Sequence, residues 1–164
     1  MIALIFGGQR SGKSRVAEDM ALKLAGDRGA FYIATYDNSF GDNEMSKRLL
    51  KHQRDRGDKF TTIEEPLALE SVIKEGGSYL IDCLSMWILN SMEEPLDELI
   101  SYIQRVCKID ANVVFVLNSV GDGVAPSDKM SREFIDRCGV IGQVVASNSQ
   151  EVYRVSFGIM ERIK

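Results

Sequence analysis

Residues Gly7, Gly8, Gln9, Arg10, Ser11, Gly12, Lys13 and Ser14 fit the phosphate-loop pattern G-x-x-x-x-G-K-[ST], and they directly follow a short apolar run at positions 1–6. Glycine at the fixed positions lets the backbone curl until its N–H groups face inward at phosphate oxygens. Lys13 can reach the β- and γ-phosphates, and the Ser14 hydroxyl can hold Mg²⁺. A plain glycine turn between a strand and a helix would give a similar string. The context argues against that: Val16, Met20 and Leu24 repeat every fourth residue beside Ala17 and Ala21, which predicts a helix with one buried stripe. Strand, loop and helix therefore follow in the order a nucleotide triphosphate site needs, with the helix N-terminus adding partial positive charge.

Apolar, β-rich runs recur at 2–6, 30–34, 60–63, 79–81, 113–117 and 151–157. Between them, helical patterns are expected at 13–25, 43–54, 67–74, 84–92, 96–108 and 128–147. Pro66 and Pro95 stand where helices can begin. This alternation predicts one α/β domain over 1–164 with a mostly parallel central sheet flanked by helices, and together with the phosphate loop it sets the expectation of a P-loop NTPase fold, RecA-like. In such sheets ligands bind beyond the carboxyl ends of the strands, so the residues just after Phe6, Ala34, Ile81 and Leu117 should share one rim.

A chain of 164 residues buries enough surface to fold without staples. Its formal net charge of −4 supplies no basic field for a nucleic-acid backbone, so small-molecule partners are expected. Cys83, Cys107 and Cys138 are odd in number and widely spaced, which signals neither a disulfide framework nor a zinc cluster. The chain opens directly into a strand, without a basic leader or an apolar run of membrane-spanning length, and a cytoplasmic location is expected.

Beyond the loop, Asp82 ends an apolar strand, the position from which phosphate-loop proteins set an acid near Mg²⁺; the same residue can also cap the helix expected from Leu84. His52 is the only histidine and shares a helical face with Met45 and Leu49. Spacing leaves two roles open for it: a packed core imidazole, or a neutral nucleophile that attacks an α-phosphate and leaves a nucleotidyl-histidine. Arg48, Lys51, Arg54 and Arg56 around it suit phosphate charge or a solvated helix end equally.

Taken together, these residues resemble the bifunctional adenosylcobinamide kinase and adenosylcobinamide-phosphate guanylyltransferase family of cobalamin biosynthesis. The likeness runs almost end to end. It is carried by the phosphate loop through Arg15, Tyr32-Ile33-Ala34-Thr35, Arg48 and His52, Thr62 and Glu64, Asp82-Cys83-Leu84-Ser85-Met86-Trp87, and Asn118 with Val120-Gly121. Gly123, Pro126, Arg132, Phe134, Asp136, Gly139 and Gln143 continue it. The resemblance implies that His52 is guanylylated by GTP and passes GMP on, and that Lys13 serves both reactions. It further implies guanine-nucleotide contacts from residues 7–14, from Ala34, Thr35 and Tyr36, from Gln53, Arg54, Asp55 and Arg56, and from Glu64 and Asp82. Mg²⁺ held by Ser14 and Asp82, ATP or GTP as donors, adenosylcobinamide or its phosphate as acceptor, and a homo-oligomer, a trimer, are implied as well. A carboxylate such as Glu64 can accept two hydrogen bonds from the N1–H and 2-amino edge of guanine.

The chain departs from the family at three places. Ser119 stands where Glu is common, removing a carboxylate at the sheet rim; Arg56-Gly57 replaces Arg-Pro; Phe60 replaces Trp. Two other readings of the loop are a simple small-molecule kinase in which His52 only packs, and a GTP-controlled binding switch. A switch usually carries Asn-Lys-x-Asp after a late strand, which Asn118-Ser119-Val120-Gly121 does not match.

Overall fold

The computed structural model describes residues 1–36, 57–121, 123 and 125–164. Strands β1 (Ile2–Gly7), β2 (Ala30–Ala34), β3 (Phe60–Glu64), β4 (Ser78–Asp82), β5 (Asn112–Asn118), β6 (Glu151–Ser156) and β7 (Ile159–Arg162) form one sheet in the order β3-β2-β4-β5-β1-β6-β7. Every pairing is parallel except that of β6 with β7. Among the described residues the α-helices are α1 (Lys13–Ala25), α2 (Leu69–Val72), α3 (Leu84–Asn90), α4 (Leu96–Val106) and α5 (Lys129–Asn148).

The central strands are apolar on both faces because both are covered. On β1 and β5, Leu4, Val113 and Phe115 join Leu84, Trp87, Ile88, Ile103 and Ile141 from α3, α4 and α5. Ala3, Ile5, Val114 and Val116 turn the other way, onto Ala17 and Ala21 of α1. That burial of alternate residues to opposite sides is the signature of a parallel sheet between helical layers. The buried stripe of α1 is Ala17, Ala21 and Ala25, while Val16, Met20 and Leu24 are only partly covered. Small side chains let the helix sit close to the sheet, and the larger ones flank the contact.

Five elements differ from the expectation set by the sequence. The stretch 67–74 is a single turn, Leu69–Val72. Glu65 takes the N–H groups of Leu67 and Ala68 at 2.9 and 2.6 Å, Ala68 is non-helical, and the Tyr79 hydroxyl takes the N–H of Lys74 at 2.9 Å. Helices α3 and α4 stop at Asn90 and Val106, short of the expected ends. Asp128 is the N-cap of α5 and not its first residue, accepting from the Ser131 N–H at 2.8 Å, and the helix runs on through Asn148. Strand β7 was not anticipated. Phe157 and Gly158 turn the chain back with φ of 52° and 78°, the pattern of a two-residue hairpin, and Gly158 before a β-forming Ile was its signal. The helix expected at 43–54 lies outside the described residues.

Arg137 on α5 fixes the α3–α4 turn to the body of the domain. Its buried guanidinium donates to the carbonyls of Glu94 at 2.7 Å and Ser91 at 3.4 Å and to Glu133 Oε1 at 2.8 Å. Arg137→Ala is expected to lower stability by about 2 kcal/mol, since charge-assisted bonds are lost where little water can replace them. Denaturant unfolding of the two proteins measures this as a lower midpoint at unchanged slope.

Candidate active site

Strand β1 delivers the chain into the loop at the carboxyl end of the sheet, between β5 and β6. Gly7 is confined there: a Cβ on it would lie 2.3 Å from the Val155 carbonyl oxygen of β6. Arg10 and Gly12 both have positive φ, 57° and 94°, so the backbone folds into a concave nest of N–H groups. A side chain on Gly12 would be strained and would meet Gly158 Cα at 3.2 Å. The loop is braced from the far end of the chain, because the Gly158 N–H of the β6–β7 turn donates to the Ser11 carbonyl at 2.7 Å. Helix α1 starts with no side-chain cap, so its first N–H groups point at the loop. Lys13 is buried, and its Nζ donates to the Gly8 carbonyl at 3.0 Å, which fixes the ammonium group across the loop.

Asp82 reaches the same rim from β4, with β5 in between. Its carboxylate accepts a hydrogen bond from the Tyr32 hydroxyl at 2.9 Å, Tyr32 Oη to Asp82 Oδ2. That partner, and the placement of Cys83 as N-cap of α3 without a side-chain bond, rule out the capping role open to Asp82 in the sequence. The peptide between Asp82 and Cys83 is cis. Thr35, fully buried, ties this turn to the end of β2: its Oγ1 donates to the Cys83 carbonyl at 2.8 Å and accepts from the Cys83 N–H at 2.9 Å. Burial, and secondarily the charge of Asp82, push the Cys83 thiol up to about 11, so it stays protonated and unreactive at neutral pH.

These residues enclose an open cleft of about 700 Å³, lined by Gln9, Arg10, Ser11, Gly12, Lys13, Ser14 and Arg15 of the loop and helix start. Tyr32, Tyr36, Asp82, Cys83, Met86, Asn118, Ser119 and Val120 complete its walls. Three cationic side chains, Arg10, Lys13 and Arg15, face one carboxylate among the described lining residues, which favours a polyanion in a protein whose formal net charge is −4. Ser14 and Asp82 share this cleft and supply oxygen donors, the kind Mg²⁺ takes. A smaller hollow of about 390 Å³ between α3 and α4, around Trp87, Tyr102 and Arg105, contains none of the phosphate-loop residues.

The described site residues do not all converge. The strand ends after Phe6, Ala34, Ile81 and Leu117 do share one rim, as the alternation implied. Glu64 ends the edge strand β3, exposed and in register with Ala34, and is not part of the cleft wall formed by the described residues. Gly7 and Ala34 are buried backbone positions, with Gly8 exposed on the loop. His52, Gln53, Arg54, Asp55 and Arg56 lie outside the described residues. Sequence reasoning missed Tyr32 as the partner of Asp82 and Gly158 as the brace of the loop. No short-range pattern could give either, because the first pair is 50 residues apart in sequence.

Residues 3–163 match the family model described as cobinamide kinase / cobinamide phosphate guanyltransferase. The bifunctional adenosylcobalamin biosynthesis protein CobP of Pseudomonas aeruginosa is 36% identical over 160 residues, covering 91% of this chain and 89% of that protein. The bifunctional adenosylcobalamin biosynthesis proteins CobU of Escherichia coli and Salmonella typhimurium are 31% and 32% identical, each alignment covering 100% of both chains. Among solved structures, the flagellar accessory protein FlaH from Methanocaldococcus jannaschii superposes with a TM-score of 0.53 at 15% identity, over 99% of this chain and 77% of that one. This last likeness bears on the fold alone, and agrees with the P-loop NTPase architecture. No described helix is long and apolar enough to cross a membrane.

Proposed function

This chain belongs to the cobinamide kinase / cobinamide phosphate guanyltransferase family and is a transferase, and from that premise we propose that it catalyses two successive reactions. It phosphorylates adenosylcobinamide with ATP or GTP, then moves GMP from GTP, through a guanylyl-histidine on His52, onto adenosylcobinamide phosphate to give adenosylcobinamide-GDP. The observation that carries this reading is the cationic cleft in which the phosphate loop and Asp82 share one rim, within a fold whose matching relatives are named bifunctional.

In the first reaction a hydroxyl oxygen of the acceptor attacks the γ-phosphorus. An O–P bond forms, the β–γ anhydride bond breaks, the nucleoside diphosphate leaves and the hydroxyl proton passes to solvent. In the second, an imidazole nitrogen of His52 attacks the α-phosphorus of GTP; an N–P bond forms as the α–β bond breaks and pyrophosphate leaves. A phosphate oxygen of adenosylcobinamide phosphate then attacks the guanylyl phosphorus, and the N–P bond breaks to return the imidazole. Both reactions place negative charge on phosphate oxygens. Lys13, the inward N–H groups of the loop and the start of α1 stabilise it. Ser14 and Asp82 would hold Mg²⁺, which supplies further charge neutralisation at those oxygens.

Glu64, at the end of β3, reads guanine through its N1–H and 2-amino group in this proposal. Glu64→Gln is expected to weaken GTP use in guanylyl transfer about 10- to 100-fold, from the loss of charge-assisted bonds, and to leave ATP-driven phosphorylation in place; steady-state rates with each nucleotide check it. The reading includes a homotrimer, which sedimentation equilibrium tests by mass. Adding GTP and Mg²⁺ alone to the protein tests the guanylyl half of the scheme: a stoichiometric burst of pyrophosphate is expected, whereas a binding switch or a simple kinase releases none.

A further inference from the structure

We propose that Tyr32 is a positioning residue, holding the Asp82 carboxylate so that its second oxygen faces the divalent cation of the nucleotide complex. The inference rests on the reading that Asp82 supports Mg²⁺, and adds the residue that makes it competent.

The geometry starts in the sheet. Strands β2 and β4 pair with Ala34 beside Asp82, and Tyr32 lies two residues earlier on β2, on the same face as Ala34. Ala34 is small, so the phenol can pass along the face to the carboxylate. Tyr32 is 3% exposed, and its ring sits edge-on against Phe60 with centroids 6.1 Å apart, so the hydroxyl is a fixed donor. It spends its proton on Asp82 Oδ2 at 2.9 Å, and both residues line the phosphate cleft. Among the described residues Oδ1, the other carboxylate oxygen, has no hydrogen-bond donor and is left for the cleft.

The chemistry of the donor matters as much as its position. Lys or Arg in the same place would neutralise the carboxylate and weaken its hold on a cation. A neutral phenol fixes the orientation and leaves the full negative charge for the metal. Asp82 is the one carboxylate among the described residues lining the cleft, so among those residues nothing substitutes for its orientation.

The test uses Mn²⁺ as the probe, titrated by electron paramagnetic resonance into protein saturated with β,γ-methylene ATP. Tyr32→Phe is expected to weaken Mn²⁺ binding about 10-fold, the usual cost of losing a partner that orients a metal ligand, with metal-free nucleotide affinity unchanged. Asp82→Asn is expected to weaken it at least as much, and the double variant no further than Asp82→Asn alone. Phe60→Leu, which loosens the ring but keeps the hydroxyl, provides a second variant and a smaller loss, about 2- to 3-fold. If Asp82→Asn weakens Mn²⁺ binding while Tyr32→Phe and Phe60→Leu match the parent, the positioning role is overturned and Asp82 keeps its own. If Asp82→Asn also matches the parent, both fall. A lower melting temperature in Tyr32→Phe with unchanged Mn²⁺ affinity assigns the hydroxyl to stability alone and overturns the proposal.

Discussion

His52→Ala protein incubated with α-labelled GTP and Mg²⁺ is expected to take up no acid-labile label, and its guanylyl transfer to adenosylcobinamide phosphate to fall by at least ~10³-fold, the scale on which removal of a nucleophile acts. Alanine has no atom that can form the N–P bond, and water cannot store the guanylyl group for the acceptor. The γ-phosphoryl transfer, which needs no covalent intermediate on the protein, persists. That split separates the two-reaction enzyme from a simple kinase with a packed histidine, whose parent protein would take no label either. Label retained by His52→Ala would place the nucleophile elsewhere.

Lys13→Ala is the second large effect, and it removes both activities. In the proposed scheme one cleft serves both reactions, and Lys13 is the cation buried inside its loop, fixed across it by the Gly8 carbonyl. Losing a preorganised donor to a phosphate under development of charge costs about 10²–10³-fold in rate. Both the adenosylcobinamide-dependent formation of nucleoside diphosphate and the release of pyrophosphate from GTP are therefore expected to fall by about that factor. Circular dichroism on the same sample checks that the variant is folded. A loss confined to one reaction would mean that the two nucleotides bind in different places.

The difference between these two variants also marks how far the sequence could be read. The bounds of the helix after the phosphate loop and of the β2 strand were legible in the sequence, because glycine placement and apolar periodicity are local signals, although the buried stripe of that helix is its alanines and not Val16, Met20 and Leu24. The shared rim followed from topology, since parallel strands all end on the same side. Elements set by longer-range bonds were not legible. The stretch after Pro66 is cut to one helical turn by Glu65 and by the Tyr79 hydroxyl, and the latter acts from the next strand. Strand β7 has only four residues, all exposed, and no apolar alternation to announce it. The bonds that tune the site, Tyr32 to Asp82, Thr35 to Cys83 and Gly158 to Ser11, join residues that meet only in the folded sheet. Only the family resemblance and its being the lone histidine point to His52, and it lies outside the described residues.

Whether this imidazole accepts GMP from a triphosphate held by the first loop of the chain is open to one direct measurement. Protein mixed with GTP and Mg²⁺, digested under alkaline conditions that preserve phosphoramidates and analysed by mass spectrometry, should show the peptide containing His52 heavier by one GMP less water, with fragment ions placing the addition on that residue. A spectrum in which the His52 peptide is fully recovered and unmodified, while the same sample turns over GTP and acceptor, would contradict it.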